Sequence, residues 1–236
     1  MKDQAEFRCG ATLARRVVQD LHNTEPHDIT LSLQKAFESN PLLGIGEKVF
    51  FHAVCFCRER DVASQWQGFS GSGGCAIGLD FPKVLSRART AGFAIAKVIY
   101  EEPEQTEIVR RVVRNGVEVF NKYGKLRQSQ SCASSFVFAI GRILLNWICR
   151  FKLPCFAPED EWRLLVPIPV NETKSRVFFR DSGNSVMPYC KVPIRNDWVT
   201  HVIRSPGAWP PNDAYGIERL ARLFGDQVRI EISPSA

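Results

Sequence analysis

The spacing of the apolar residues changes twice along this chain, which limits the folds open to it more than any other property of its sequence. Residues 49–57 read VFFHAVCFC, an aromatic and β-branched run with the length of a buried strand. Between positions 103 and 123 the valines recur at helical spacing instead, and residues 134–150 form the most apolar helical segment. A strand-like run returns in EWRLLVPIPV at 161–170. We therefore predict strands before and after a helical middle segment.

The remaining segments favour one mixed fold. Helical patterns cover the first forty residues, where Leu13, Val17 and Leu21 lie four apart, and strand-like pieces follow in CAIGLDF, GFAIAKVIYEE and WVTHVIRSP. This clustering favours a mixed sheet over a regular alternation of parallel strands and helices. Because no repeat or low-complexity linker interrupts residues 1–236, they are predicted to form a single α+β domain with a mixed β-sheet and a helical middle segment.

The composition predicts a globular chain without a membrane span. Apolar residues make up 44% and charged residues 24%, which is enough apolar surface for a sizeable core. The net charge of +6 is compatible with anionic partners such as nucleotides, and equally with an ordinary solvated basic surface. The most apolar run, SFVFAIGRILLNWICRF, contains Arg142 and falls short of the about 18 residues that a membrane helix needs.

The cysteines predict a reducing compartment. Eight of them are scattered along the chain, and the start MKDQAEFRCG is polar and shows no secretory leader. A cytoplasmic location with free, largely buried thiols is therefore expected. By residue type alone, four zinc ligands could come from His52, Cys55, Cys57 and Cys75. A strand, however, directs His52 away from Cys55 and Cys57, and no second CxxC or CxxH motif exists. No metal site is predicted.

The stretch FAPEDEWRLLVP carries the sharpest candidate for chemistry. On a strand Glu159 and Glu161 would point to one face, and Asp160 and Trp162 to the other. One interpretation is that Trp162 is buried and the two glutamates line a cleft, where one binds a ribose hydroxyl and the other stabilises a cationic sugar. The other is an exposed acidic turn in which Glu161 pairs with Arg163. The sequence leaves both open.

Two further stretches are candidate anion sites. The glycines of GSGG at 71–74 lie between a helix and a strand, whereas a phosphate loop precedes a helix, so a turn is favoured. The stretch RVVRNGVEVFNKYGKLRQSQ brings cations onto a helical face that could attract nucleotides or nucleic acid, namely Arg110, Arg111, Arg114, Lys122, Lys125 and Arg127. Acidic residues just upstream reduce its field, and a solvated face is the simpler interpretation.

Several of these stretches together resemble a bacterial family catalogued as domain of unknown function 2971. VCFCRERDVASQWQGFSGSGGCAIGLDF is similar to the family's S-F-S, aspartate, tryptophan and I-G-F series, and FKLPCFAPEDEWRLLV is similar to its E-x-E-W-R run. MKDQAEF and the closing segment WVTHVIRSPGAWPPNDAYGIERLARLFGDQVRIEIS resemble the family's first turn and its last strand, helix and strand. The order and spacing of these motifs carry the resemblance.

The chain also departs from the family pattern. Cys55 and Cys57 stand where the family has serines, and the usual N-terminal strand and helix are missing. We therefore expect a shortened member, and a shortened copy without those serines is compatible with an inactive protein.

The family pattern is in turn similar to that of ADP-ribosyltransferases, in which a serine and a glutamate hold NAD. This likeness implies Glu161 as catalytic carboxylate and Glu159 as its partner, with NAD as cofactor. Cys55, Cys57, Trp66 and Arg163 would be its binding residues. Trp66, like Trp162, is expected to be buried. The alternative function is a non-catalytic module that binds nucleotide, nucleic acid or protein through the basic helical face.

Overall fold

The computed structural model describes residues 4–39, 49–70, 73–123, 130–181, 186–206 and 211–234. In these ranges the helices are α1 (Gln4–Thr24), α2 (Asp28–Ser39), α3 (Ala63–Phe69), α4 (Phe81–Thr90), α5 (Glu102–Tyr123), α6 (Gln130–Ile148), α7 (Thr173–Arg176) and α8 (Pro211–Phe224). Short 3₁₀ helices occupy Pro154–Glu159, Val170–Glu172 and Asn196–Trp198. The predicted cations Lys125 and Arg127 and the first two residues of the GSGG turn lie outside the described residues.

The strands of the described chain form three sheets. They are β1 (Val49–Cys57), β2 (Cys75–Leu79), β3 (Ala94–Lys97), β4 (Glu161–Pro169), β5 (Val177–Asp181), β6 (Val186–Cys190), β7 (Val199–Arg204) and β8 (Arg229–Ile232). The sheet orders are β1-β4-β3, β2-β7-β8 and β5-β6. β7 pairs antiparallel with β2 and parallel with β8, so this sheet is mixed. The predicted α+β class, with a mixed sheet and the helices α5 and α6 in the middle, is confirmed.

The chain divides into two compact units, and the prediction of one domain over residues 1–236 stays a prediction. Unit 1 comprises the described residues within Met1–Val54, Ala96–Ala157 and Leu165–Cys190. Unit 2 comprises those within Cys55–Ile95, Pro158–Leu164 and Lys191–Ala236.

Unit 1 is built around a helical core. The predicted stripe of Leu13, Val17 and Leu21 on α1 is buried, and it joins one apolar cluster with residues of α2, α5 and α6. Leu144 on α6 is fully buried in that cluster, whereas its neighbour Ile143 is half exposed on the same helix. The apolar faces of amphipathic helices thus supply the core, as their periodicity predicts.

Unit 2 is a smaller sheet-and-helix structure. Val202 of β7 packs with Ile217 and Ala221 of α8 in a small buried cluster. Asp80 caps α4 by accepting a hydrogen bond from the Lys83 backbone N–H at 3.2 Å, which satisfies one of the free donors of the first turn. None of the described helices in either unit combines the length and the apolar character that crossing a membrane requires.

Truncating Leu144 tests the core of unit 1. We expect Leu144→Ala to lower the free energy of unfolding by about 2–5 kcal/mol, because the lost side chain leaves a cavity among fully packed neighbours. Urea unfolding followed by circular dichroism measures it. Ile143→Ala is the matched control on the same helix and should change stability by less than about 0.5 kcal/mol. Equal losses in the two variants would contradict this packing.

Candidate functional site

Unit 2 contains a cavity of about 780 Å³. This volume lies within the range of cavities that hold small molecules and cofactors in proteins. Its wall is formed by the end of β1 and the loop after it, by α3, β2 and the start of α4, and by Trp162, Thr200 and His201. Every lining residue that the structure describes belongs to unit 2.

Aromatic side chains form much of the wall. Trp66 is buried, as predicted, whereas Phe69 is 70% exposed and Phe81 is 39% exposed at the cavity. Phe81 packs edge-to-face on Trp162 with ring centroids 5.2 Å apart. Exposed aromatic rings that converge on one concave surface are typical of a ligand site, because a bound molecule would remove their apolar area from water.

Asp61 fixes the position of Trp66. Its carboxylate Oδ1 accepts a 2.6 Å hydrogen bond from the indole Nε1–H and another of 2.6 Å from the hydroxyl of Ser233. Asp61 does not cap α3, since Val62 stands at the cap position of that helix and no side chain caps it. The carboxylate of Asp61 instead accepts the hydrogen bond of the indole, which holds the ring of Trp66 in one orientation at the cavity wall.

The orientation of β4 is the reverse of the predicted one. Glu161 and Arg163 are 3% and 1% exposed, whereas Trp162 is half-buried and lines the cavity. The prediction that Trp162 is buried in the core while the carboxylates face the cleft is therefore wrong. The physical reason is that Glu161 and Arg163 neutralise each other, which allows a polar pair to occupy the inner face of the strand.

The ion pair between these two residues is bidentate. Arg163 Nε donates to Glu161 Oε1 at 2.8 Å, and Nη2 donates to Oε2 at 3.1 Å. The pairing that the second interpretation predicted is confirmed, but it is buried rather than exposed. Arg163 is only 1% exposed and cannot contact a cofactor directly. Its contact with Glu161 instead holds that carboxylate in place.

Glu159 does not share a strand with Glu161, contrary to the prediction. It ends the 3₁₀ helix Pro154–Glu159, and β4 begins only at Glu161. Between them Asp160 adopts a positive φ of 40°, a conformation that aspartate tolerates better than most residues. This turn breaks the alternation from which the shared face was predicted.

Cys55 links the cavity to Glu161. The residue lines the cavity and is solvent-accessible, while packed atoms around its sulfur desolvate the thiol. This desolvation, with the nearby Glu161 carboxylate, raises the pKa of the Cys55 thiol to about 12. The sulfur is consequently protonated at neutral pH and donates a hydrogen bond to Glu161. Cys55 can therefore serve as a hydrogen-bond donor but is a poor nucleophile.

The other cysteines partly contradict the sequence-based expectation. Seven of the described cysteines form no disulfide, namely Cys9, Cys55, Cys57, Cys75, Cys149, Cys155 and Cys190. The prediction that they are largely buried is wrong, because Cys9, Cys55 and Cys155 are exposed and Cys149 is the buried member of this set. Among the residues that the structure describes, no three histidine, cysteine or acidic side chains are grouped so that they could hold a metal ion.

Two arginines add positive charge to the cavity. Arg58 and Arg60 both line it, with side chains 69% and 61% exposed. Arg58 lies 3.7 Å from Asp160, and Arg60 lies 3.1 Å from Glu231. Since both guanidinium groups remain largely in solvent, they are accessible to an anionic ligand at the cavity.

Thr200, His201 and Glu231 are the residues that sequence reasoning missed. His201 Nδ1 lies 2.9 Å from Thr200 Oγ1, and His201 Nε2 lies 3.6 Å from Glu231 Oε1. Thr200 and His201 line the cavity. In the sequence these residues show only as an adjacent Thr-His pair in a strand-like run. Glu231 is thirty positions away and approaches His201 only because β8 pairs with β7.

The predicted basic face on α5 carries acidic partners. Arg114 forms an ion pair with Glu25, which lowers the pKa of that carboxyl group, and Arg111 lies 4.0 Å from Glu107. Lys122 lies over the ring of Tyr123 at 5.1 Å from its centroid. These pairs reduce the field that the face presents to a nucleic acid.

The buried ion pair yields a stability prediction. We expect Arg163→Met to lower the free energy of unfolding by about 3–5 kcal/mol, because the Glu161 carboxylate then lies in the interior without this cation. The double variant Glu161→Leu/Arg163→Met removes both charges and should recover most of that loss. Urea unfolding at neutral pH compares the two. A double variant as unstable as the single one would contradict the role given to the pair.

Comparisons with known proteins add one finding about this site. No curated protein and no solved structure matches the chain. The range that matches a family model contains Trp66, Trp162 and the Glu161–Arg163 pair, while Cys55 and Thr200 lie outside it. Residues 65–164, less than half of the chain, match the family described as "Protein of unknown function (DUF2971)", in agreement with the resemblance seen in the sequence.

Proposed function

We propose that unit 2 binds a nucleotide in its cavity. The observation that carries this proposal is the presence of aromatic rings and exposed guanidinium groups on the wall of one cavity of about 780 Å³. Trp162 and Phe81 offer faces and edges to a heteroaromatic base, and stacking of this kind tolerates any base. Arg58 and Arg60 supply the charge that phosphate groups require.

The rigidity of the wall supports the same function. Because Asp61 already holds the indole of Trp66, a bound base need not order that ring, and the entropic cost of binding is reduced. The ion pair of Glu161 and Arg163 likewise fixes the strand that carries Trp162.

NAD is the nucleotide to test first, with ADP-ribosyl transfer as the second candidate function. The favouring observation is that Cys55 lines the cavity and its thiol hydrogen bonds to Glu161, the two residues that the family resemblance pairs. In this scheme the Cys55 thiol contacts the ribosyl group, Glu161 is a positioning residue that acts through its hydrogen bond with that thiol, and Glu159 is its weaker partner. In this step the glycosidic carbon–nitrogen bond breaks and nicotinamide leaves, while water or an acceptor hydroxyl bonds to the ribosyl carbon and gives up its proton to the solvent.

Nucleotide binding depends on Trp162 in this proposal. We expect Trp162→Ala to weaken binding of NAD and of ADP-ribose by roughly 5- to 150-fold, since stacking on an aromatic ring contributes about 1–3 kcal/mol. Isothermal titration calorimetry measures it. Phe179→Ala, which removes a 68% exposed ring from β5 in unit 1, is the control and should leave the affinity unchanged.

The arginines distinguish this cavity from the basic face of α5. Arg58→Ala should weaken binding and reduce its dependence on salt, while Arg111→Ala and Lys122→Ala should not. If the two α5 variants lose binding and Arg58→Ala keeps it, the non-catalytic module that uses the helical face is the better description.

Turnover of NAD tests the second candidate. We expect the protein to release nicotinamide from NAD, and Glu161→Gln to slow that release by about 10-fold, because the Cys55 thiol then loses the carboxylate that orients it. Glu159→Gln is the control and should have a smaller effect. Retained binding of ADP-ribose shows that each variant is folded. Equal release by the wild type and a folded Glu161→Gln variant would exclude the positioning role of this residue.

A further inference from the structure

A β-bulge places the side chains of Thr200 and His201 on one side of β7. Gly78 of β2 pairs with His201 and the next residue, Leu79, pairs with Val199, so Thr200 is the extra residue of β7 at this point. In a regular strand the side chains of Thr200 and His201 would point to opposite faces. At the bulge they lie together, with Thr200 Oγ1 2.9 Å from His201 Nδ1. Bulges often redirect side chains in this way beside active sites.

Gly78 makes room for this arrangement. A Cβ atom at position 78 would lie 3.2 Å from Thr200 Oγ1 and 3.2 Å from the Cβ of His201. Both contacts are tighter than ordinary van der Waals packing, so a larger residue would push the hydroxyl away from the imidazole. The glycine on the neighbouring strand therefore permits the close approach of Thr200 and His201.

Glu231 lies on the other side of the imidazole. Its Oε1 lies 3.6 Å from His201 Nε2, slightly beyond hydrogen-bond distance, and accepts a 3.1 Å hydrogen bond from Arg60. The negative charge of the carboxylate at this distance favours the tautomer with the proton on Nε2. Nδ1 is then free of a proton and accepts the hydrogen bond of the Thr200 hydroxyl. Hydroxyl, imidazole and carboxylate stand in the order required to activate an oxygen nucleophile.

We propose that Thr200 is a nucleophile activated by His201, with Glu231 as a positioning residue, and that the cavity accepts a carboxylic ester bearing an anionic group. Thr200 and His201 both line the cavity, so an ester bound there reaches the hydroxyl. Arg58, which lines the same cavity, recognises the anionic group. This reactivity does not require that a nucleotide binds, so it can fail or succeed independently of the function proposed above.

The reaction is an acyl transfer in two steps. Thr200 Oγ bonds to the ester carbonyl carbon while its proton moves to His201 Nδ1. The carbon–oxygen bond of the ester then breaks, and the leaving alcohol takes that proton. Water attacks the acyl-threonine in the second step, with His201 again accepting a proton, and releases the carboxylic acid and the free hydroxyl. No oxidant or additional reactant is consumed.

A fluorophosphonate probe tests the nucleophile in the full chain. Attack by Thr200 Oγ forms an oxygen–phosphorus bond and expels fluoride, and mass spectrometry of the peptides locates the label. We expect labelling at Thr200, none in the nearly isosteric Thr200→Val, and retained labelling in Thr200→Ser. His201→Gln should slow labelling by about 100-fold, the usual effect of removing a general base.

Matched variants separate this role from a structural one. Thr90→Val makes the same exchange at an exposed hydroxyl that ends α4 and should not change the labelling rate. Glu231→Gln should lower the saturating rate while the probe concentration for half-maximal rate stays constant, and melting curves verify that every variant is folded. A folded wild type that is not labelled, a label that persists in Thr200→Val, or a rate unaffected by His201→Gln would overturn the assignment.

The substrate class has its own test. The protein should hydrolyse the monoanionic p-nitrophenyl succinate faster than the neutral p-nitrophenyl acetate, and Arg58→Ala should remove that preference. Equal rates for the two esters in the wild type would overturn the anionic class. Hydrolysis by Thr200→Val at the wild-type rate would overturn the role of the nucleophile.

Discussion

The ion pair of Glu161 with Arg163 is the contact on which the site of unit 2 depends. Glu161 and Arg163 are both buried, so the face of β4 that carries them lies in the interior. Because side chains alternate along a strand, Trp162 between them points to the opposite face and reaches the cavity. Were either charge unpaired, its desolvation would favour the opposite orientation of the strand. The pair thus decides which side chains a ligand would meet.

The wall around the cavity is ordered by specific polar contacts rather than by apolar packing alone. Asp61 binds the indole of Trp66 and the hydroxyl of Ser233, and Glu231 joins Arg60 to His201. Such carboxylates hold neighbouring groups in one geometry before any ligand arrives. The cavity therefore has both an aromatic surface and oriented hydrogen-bonding groups, which is the combination expected of a binding site.

The acidic motif that is most conspicuous in the sequence contributes indirectly to this cavity. Cys55 and Trp162 are among the described residues that line the cavity. Glu161 is connected to the cavity through its hydrogen bond with the Cys55 thiol. The high pKa of that thiol makes it a hydrogen-bond donor, so reactivity must come from elsewhere on the wall. The pair of Thr200 and His201, which is brought together by a bulge, offers such a group, and it is located on β7, away in sequence from the matched family range.

Much of the fold could be predicted from the sequence because it depends on local periodicity. The four-residue spacing of Leu13, Val17 and Leu21 gives the buried face of α1, and the bounds of β1 follow from one apolar run. The pairing of Glu161 with Arg163 was also foreseeable, since both stand two apart on a strand. Its burial was not, because the free energy of burying a charge depends on what surrounds the strand and not on its own residues.

Local residue patterns suffice to place the main helices and strands and to predict an acidic, tryptophan-bearing strand after the helical middle. They do not predict which face of that strand is buried, the left-handed turn at Asp160 between Glu159 and Glu161, or the meeting of Gly78, Thr200, His201 and Glu231. Periodicity is a property of neighbours along the chain. Strand register, bulges and the proximity of distant charges arise only when segments far apart in the sequence pair with one another.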